Sequence, residues 1–315
     1  MRIIHAANEL HGSIPAGRPR PPRKVSLAIG FFDGVHLGHQ QIIRQTVTDA
    51  RQHEDLALVV TFDRHPNTIT APDRVPPLIY SLPQKLRAIG SLGPDAVLLL
   101  RFDEPFSRQT GEEFIRKLAR DLGEIRNLCV GVNFLFGYKR GGNVALLRRL
   151  GGELGFTVHG LAAVSLDGRA VSSTRIRAAI AAGELDAASQ MLGRAYSLAG
   201  TVVPGDARGR ELGFPTANLD VAGLALPPNG VYAALAVLGG HSHRALLNIG
   251  FRPTFACPHP PLRVEAHLLD FAGELYGREL EVVFVDKLRD ERKFGSLREL
   301  RDQIARDILD AQMRF

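Results

Sequence analysis

Two histidines three residues apart, His36 and His39 in the segment GFFDGVHLGH at residues 30–39, are the densest chemical signal in this chain. On a helix that spacing projects both imidazoles from one face of the first turn. An apolar run precedes the segment and a helical pattern follows it. The junction therefore offers free backbone N–H groups and the positive end of a helix dipole, a ready site for phosphate. Gly34 and Gly38 would let a nucleotide approach the backbone closely. The imidazoles can donate hydrogen bonds to phosphate oxygens as charge builds in a transition state. Gly30, Phe32 and Asp33 complete the candidate phosphate site. A bare pair at this spacing more often faces solvent or a carboxylate; the strand, the glycines and Asp33 turn the reading toward phosphate chemistry.

Four other segments carry polar groups at element ends. In SSTRIR, Ser172, Ser173 and Thr174 begin a helix, where they either cap it or, with Arg175 and Arg177, clamp a triphosphate. GVNFLFG at 131–137 ends a strand and runs into GYKRGG, which reads equally as a flexible loop with two cations for phosphates or as a surface turn. GDARGRELGFPTAN at 205–218 opens with a Gly- and Arg-rich loop, Gly205, Arg208, Gly209 and Arg210, suited to an oligophosphate or to a plain turn. It closes on Thr216 and Asn218, neutral oxygen donors of the kind Mg²⁺ accepts. In RVEAHLLDF at 263–271, alternation puts Glu265 and His267 on the face opposite Val264, Ala266 and Leu268; a glutamate there is more often solvent-facing than catalytic.

The elements that must hold these groups fall into two halves. Up to about residue 185, apolar runs (Val25–Phe32, Leu56–Phe62, Ala96–Phe102, Leu128–Val132, Phe156–Val164) alternate with helical patterns. Continuous apolar strands separated by helices predict a doubly wound α/β domain with a parallel sheet. Thr110 and Glu113 form a capping box for a helix that follows. After about residue 195 the helices give way to strands at Tyr196–Val203, Val231–Leu238, Arg244–Ile249, Arg263–Phe271 and Glu279–Leu288, which predicts an antiparallel barrel or sandwich. A second capping box, Ser296 to Glu299, opens a C-terminal helix with Leu297, Leu300, Ile304 and Ile308 expected against the barrel. The boundary is expected within 183–193, giving domains 1–186 and 187–315.

With 315 residues, the chain is long enough for two such domains. Its 45% hydrophobic content and mean hydropathy of -0.02 exclude disorder and a membrane-embedded chain. An excess of six basic residues is a weak bias toward anionic partners, and no basic-aromatic pattern marks a nucleic-acid groove. The expectation is a cytoplasmic protein, monomeric or weakly self-associating, acting on small molecules without nucleic-acid or membrane partners. Cys129 and Cys257 lie too far apart in sequence to suggest a disulfide framework, and Cys129 sits in a core-like run. His241, His243, Cys257 and His259 have irregular spacing that argues against a metal site.

These motifs, in this order, resemble the prokaryotic bifunctional riboflavin kinase/FMN adenylyltransferases. GFFDGVHLGHQQII resembles the HxGH signature of the nucleotidyltransferase superfamily, and TFDRHP (61–66), GVNFLFG and SSTRIR look like the motifs that follow it. The resemblance implies a Rossmann-like domain that adenylylates FMN to FAD, with His65 on the ATP or flavin face, Phe62 and Pro66 against the flavin and Asn133 beside the triphosphate. PTAN at 215–218, NIGFRPT at 248–254 and the strand bearing Glu265 resemble the riboflavin kinase module. There Glu265 would act as general base on the ribityl hydroxyl, Thr216 and Asn218 would hold Mg-ATP, and Asn248 and Arg252 would touch the flavin. CPHPP at 257–261 and the arginine-rich segment at 19–23 match no motif. A single-activity enzyme, or a nucleotide-binding regulator that contacts nucleic acid through its basic surface, are the alternatives.

Overall fold

The structure is a computed structural model that describes residues 1–10, 24–205, 208–251 and 262–315. The chain divides into two compact units, Met1–Leu78 with Leu82–Ser173, and Ile79–Ser81 with Thr174–Phe315.

The first unit is the expected doubly wound domain. Its strands are β1 (Arg2–Ile4), β2 (Val25–Ile29), β3 (Leu56–Phe62), β4 (Ala96–Leu100), β5 (Ile125–Gly131) and β6 (Thr157–Leu161). They pair in parallel in the order β1-β4-β3-β2-β5-β6. The helices are α1 (Leu37–Gln52), α2 (Asn67–Thr70), α3 (Leu82–Gly90), α4 (Glu104–Ser107), α5 (Gly111–Leu122) and α6 (Val144–Leu154). Every residue of β2 is buried, as a strand covered on both faces requires. Leu27 and Ile29 pack in one core with Phe114, Ile115 and Leu147, whereas Ala28 packs in another with Ile43 and Ile89. Cys129 lies fully buried in that second core, where burial pushes its thiol up to about 12 and leaves it chemically inert. Patterning does not reveal β1, a three-residue edge strand, or α3.

From β2 the chain moves to β3 on one side and later returns to β5 on the other. The carboxyl ends of β2 and β5 are therefore a topological switch point, where the connections part and leave a crevice. GFFDGVHLGH runs directly off β2 into that crevice. A short ribbon, β7 (Ser165–Leu166) and β8 (Arg169–Ala170), follows β6, and the division between units falls at the start of α7 (Ser173–Ala182).

In the second unit, α7 and α8 (Leu185–Leu192) precede a closed barrel of β9 (Ser197–Val203), β10 (Ala217–Asp220), β11 (Gly230–Leu238), β12 (His241–Phe251), β13 (Leu262–Leu268) and β14 (Glu279–Arg289). The strands are antiparallel in the order β10-β13-β12-β11-β14-β9, and the β9–β10 pairing closes the ring. Val264, Ala266 and Leu268 are buried while Glu265 and His267 stay half-buried, the alternation expected of β13.

Three expectations for this half need correction. One turn of helix, α9 (Arg208–Glu211), forms where a plain loop is expected. In α10 (Leu297–Gln312), Ile304 and Ile308 do pack on the barrel, but Leu297 is 71% exposed because it lies in the first turn, beyond the barrel's edge. The buried face is completed by Gln303, Asp307 and Ala311. Ser296 caps the Glu299 amide at 3.2 Å, but Glu299 turns back to the amide of Gly295 at 3.0 Å, so only half of that capping box forms. The box at Thr110 and Glu113 is complete.

Candidate active sites

The turn between β2 and α1 is strained. Phe32, Gly34 and Val35 all take positive φ, at 54°, 73° and 41°. A β-branched residue at positive φ costs about 1–3 kcal/mol, so such a turn persists only where its surroundings hold it. Here three elements do so: Thr61 Oγ1 donates to the Phe31 carbonyl (3.1 Å), Gln40 Nε2 to that of Val35 (3.0 Å) and Ser173 Oγ to that of Asp33 (3.1 Å). Ser173 thus ties the fourth motif to the first.

The turn delivers His36 as the N-cap of α1, its Nδ1 facing the His39 amide at 3.4 Å. A His36 that accepts at Nδ1 carries its proton on Nε2. The two imidazoles stack at 3.6 Å and 20°. Burial, then the neighbouring His36 and Lys85, hold His39 well below the usual histidine range, so it is neutral at pH 7. Its Nδ1 is buried without a hydrogen-bond partner, a costly arrangement in a site otherwise so tightly specified. Gly38 keeps this geometry open, since a Cβ there would stand 3.2 Å from His36 Cε1. Gly30 serves packing: a Cβ would come within 2.7 Å of the Phe32 ring. That ring is buried edge-on to His39, which leaves Phe32 only its backbone to offer a ligand.

Beside this turn opens a cleft of about 900 Å³. Phe62 and Pro66 line it as expected, and so does His65, whose ring is edge-on to Phe31 at 5.0 Å and whose Nδ1 accepts from the Asn67 amide at 3.0 Å. Much of its wall comes from residues outside the expected set. Phe62, Phe102 and Phe106 form a triangle with centroids 5.4–5.6 Å apart, and Phe134 and Phe136 stack at 5.1 Å. Such a wall suits a large flat ring. Phe102 and Phe106 follow a strand end, a cue present in the sequence but one that gains meaning only when β3 and β4 lie side by side.

The 137–142 segment is a folded turn, not a flexible loop. Phe136 and Gly142 pair as a β-bridge, and Tyr138 N donates to Gln109 O at 2.8 Å. A Cβ on Gly137 would lie 2.3 Å from the Gly111 nitrogen, so close packing on α5 demands glycine there. Lys139 and Arg140 project at the mouth of the cleft, and Asn133 is exposed just beyond β5. Ser172 is half-buried ahead of α7; Thr174, Arg175 and Arg177 continue that helix in the second unit.

On the barrel, strand register assembles the second site. Asn218 on β10 sits opposite Glu265 on β13, and Glu265 sits opposite Asn248 on β12. Directly opposed residues have Cβ atoms about 4.5–5.5 Å apart on one face, so a carboxylate is flanked by two amides. Gly205 lets the chain cross this row, since a Cβ would come within 2.1 Å of Asn218 Nδ2. Gly209 packs under Phe214 and Thr216 in the same way, at 2.4 and 3.1 Å. Arg210 is exposed; Arg252, Cys257, His259 and the Arg208 side chain lie outside the described residues. Thr216, Asn218, Asn248 and Glu265 line one cavity of about 320 Å³, and His267 joins them, its ring held by the Pro215 carbonyl at 2.7 Å.

The far wall of that cavity is polar, which sequence patterning misses. Asp307 on α10, 2% exposed, receives Arg289 Nε at 2.9 and 3.1 Å, Arg289 Nη2 at 2.7 Å and Gln303 Nε2 at 2.7 Å. Removing one partner of a buried, fully bonded pair strands the other, at a cost of about 3–5 kcal/mol. Asp307→Ala is therefore expected to lower barrel stability by that amount, read as a shifted urea transition followed by a barrel probe.

The FAD synthetase family matches residues 18–175 and the riboflavin kinase family residues 192–315. The bifunctional riboflavin kinase/FMN adenylyltransferase of Escherichia coli K12 is 39% identical over 296 residues, 94% of each chain. Those of Pseudomonas fluorescens and Bacillus subtilis are 38% and 34% identical over 93% or more of each chain. A solved structure described as a macrolide-efflux protein from Streptococcus pneumoniae superposes with a TM-score of 0.78 at 28% identity over 98% of both chains. No described helix here is long and apolar enough to cross a membrane. With both halves matched in order and relatives aligned nearly end to end, the chain belongs to the bifunctional riboflavin kinase/FMN adenylyltransferase family.

Proposed function

We propose that the chain phosphorylates riboflavin to FMN at the barrel cavity and adenylylates FMN to FAD at the crevice off β2, using ATP in both steps. One observation carries this reading: a stacked histidine pair at a helix N-terminus beside an aromatic cleft and a carboxylate flanked by two amides occur on the same chain.

In the barrel, Glu265 accepts the proton of the ribityl 5′-hydroxyl as its oxygen attacks the γ-phosphorus of ATP and ADP leaves. Asn218 and Asn248 orient that carboxylate and the alcohol. Thr216 and Asn218, hydroxyl and amide oxygens cradled over Gly209 and Gly205 beside the Glu265 carboxylate, form a hard donor set that fits Mg²⁺. When bound, Mg²⁺ would neutralise triphosphate charge.

In the crevice, an FMN phosphate oxygen attacks the α-phosphorus of ATP and pyrophosphate leaves. Little covalent work falls to the protein, so positioning and charge stabilisation carry the acceleration. His36 and His39 face the reacting phosphates together with the α1 dipole and the amides of residues 33–38. The aromatic cleft holds the isoalloxazine, with Phe62, His65 and Pro66 on its wall and Asn133, Ser172 and Ser173 serving the triphosphate. We assign adenylylation to 1–186 and the kinase to 187–315. The ATP requirement and the inert free thiol of Cys129 favour a cytoplasmic setting.

The test is a time course with riboflavin, ATP and Mg²⁺ followed by chromatography. FMN is expected first and FAD after it. FMN alone would confine activity to the barrel, and no product even from supplied FMN would reduce both sites to binding.

A further inference from the structure

Lys85 belongs to none of the motifs, yet its side chain is buried directly beneath the β2–α1 turn. It rises from α3 and is only 3% exposed, an uncommon position for a lysine. Its ammonium donates to the Phe62 carbonyl at 2.7 Å and the Phe31 carbonyl at 3.3 Å. These carbonyls stand where two parallel strands part. The last ladder bond between them runs from Gly30 N to Val60 O at 3.1 Å, and beyond it Lys85 bridges the separating chains. The same nitrogen sits 4.4 Å from the centroid of the Phe31 ring, whose other contacts face the aromatic cleft and His65.

On the reading that the first unit adenylylates FMN, we propose that Lys85 is a positioning residue of that reaction. From below the turn, its ammonium fixes Phe31 against the flavin cleft and fixes the backbone that presents the histidine pair. Three charged or titratable groups face it: Asp33 from the turn, Asp63 from the end of β3 and His39 from α1. Burial outweighs the attraction of the two carboxylates and pulls the lysine down to about 8, so its charge is lost within an accessible pH range. The lysine charge in turn helps hold His39 neutral. The same ammonium meets the Phe31 ring on the cleft wall and acts on His39 in the histidine pair.

The test compares Lys85→Gln and Lys85→Arg in the full chain, measuring kcat and KM for FMN alongside riboflavin kinase activity. Small misplacements at a reacting centre cost about 10²-fold. Lys85→Gln is therefore expected to lose about that much in adenylylation kcat/KM, with a raised KM for FMN, while kinase constants stay unchanged. Lys85→Arg, which keeps the charge, is expected to recover most of the loss. Wild-type adenylylation should fall as pH passes about 8 relative to Lys85→Arg, because only the lysine neutralises there. Unchanged FMN constants in Lys85→Gln, or parallel pH profiles for wild type and Lys85→Arg, would overturn the proposal. If Lys85→Gln does not fold, the pH comparison decides alone. A wild-type chain unable to adenylylate supplied FMN would instead remove the reading on which the proposal stands.

Discussion

His36→Ala is expected to lower FMN adenylylation by about 10²–10³-fold while riboflavin phosphorylation continues at the wild-type rate. The magnitude is that of losing one preorganised donor to developing charge in a site shielded from water. The geometry adds a reason for the upper end of that range. His36 caps α1 through Nδ1 and stacks on His39 at 3.6 Å, and on the proposed reading its Nε2–H serves the reacting phosphates. Alanine removes all three, and loss of the cap alone costs about 1 kcal/mol. His36→Asn separates these roles, since asparagine is a good N-cap but cannot stack or reach as an imidazole does. Its helix should be as stable as wild type by hydrogen exchange while adenylylation remains depressed. Equal FAD production by His36→Ala and wild type, from supplied FMN and ATP, would remove the histidine from the reaction.

Local motifs made these centres legible because each is built over a few consecutive residues. A strand end, three glycines and two histidines at helical spacing lie within ten residues, so a candidate phosphate site could be named before its fold was known. Asn218 and Glu265 were equally visible, although nothing in spacing says that they stand opposite each other; barrel register supplies that. What stayed hidden is contributed from a distance. Lys85 reaches Phe31 across 54 residues, and Asp307 reaches Arg289 from a helix whose pattern points to an apolar seam. Leu297 misleads for the same reason: a helix period shows which residues share a face but not where its partner surface ends. Phe102 and Phe106 gain their meaning only when the ends of β3 and β4 lay them beside Phe62. Residues that support a site thus escape a reading that finds the residues within it.

Glu265→Gln is expected to lower riboflavin phosphorylation by about 10²–10⁴-fold, the usual contribution of a positioned base, with adenylylation of supplied FMN unchanged. Glutamine preserves size and keeps one oxygen to accept from a neighbouring amide, so the change chiefly removes the basicity. The flanking residues sharpen the expectation. A carboxylate only accepts hydrogen bonds, and Asn218 and Asn248 can each donate to it from across the sheet. Donors on both sides can aim the carboxylate at one oxygen, the geometry that deprotonating a primary alcohol requires. A glutamine has a donor of its own and must turn one amide away, so binding of riboflavin should weaken only slightly while turnover collapses. The split is measurable: kcat falls by orders of magnitude with KM for riboflavin within a few-fold of wild type. If KM rises and kcat holds, Glu265 binds substrate, and the base must be sought elsewhere in the cavity. His267 is then the next group to replace, since it lies two residues along the same face of β13 with its ring oriented by the Pro215 carbonyl.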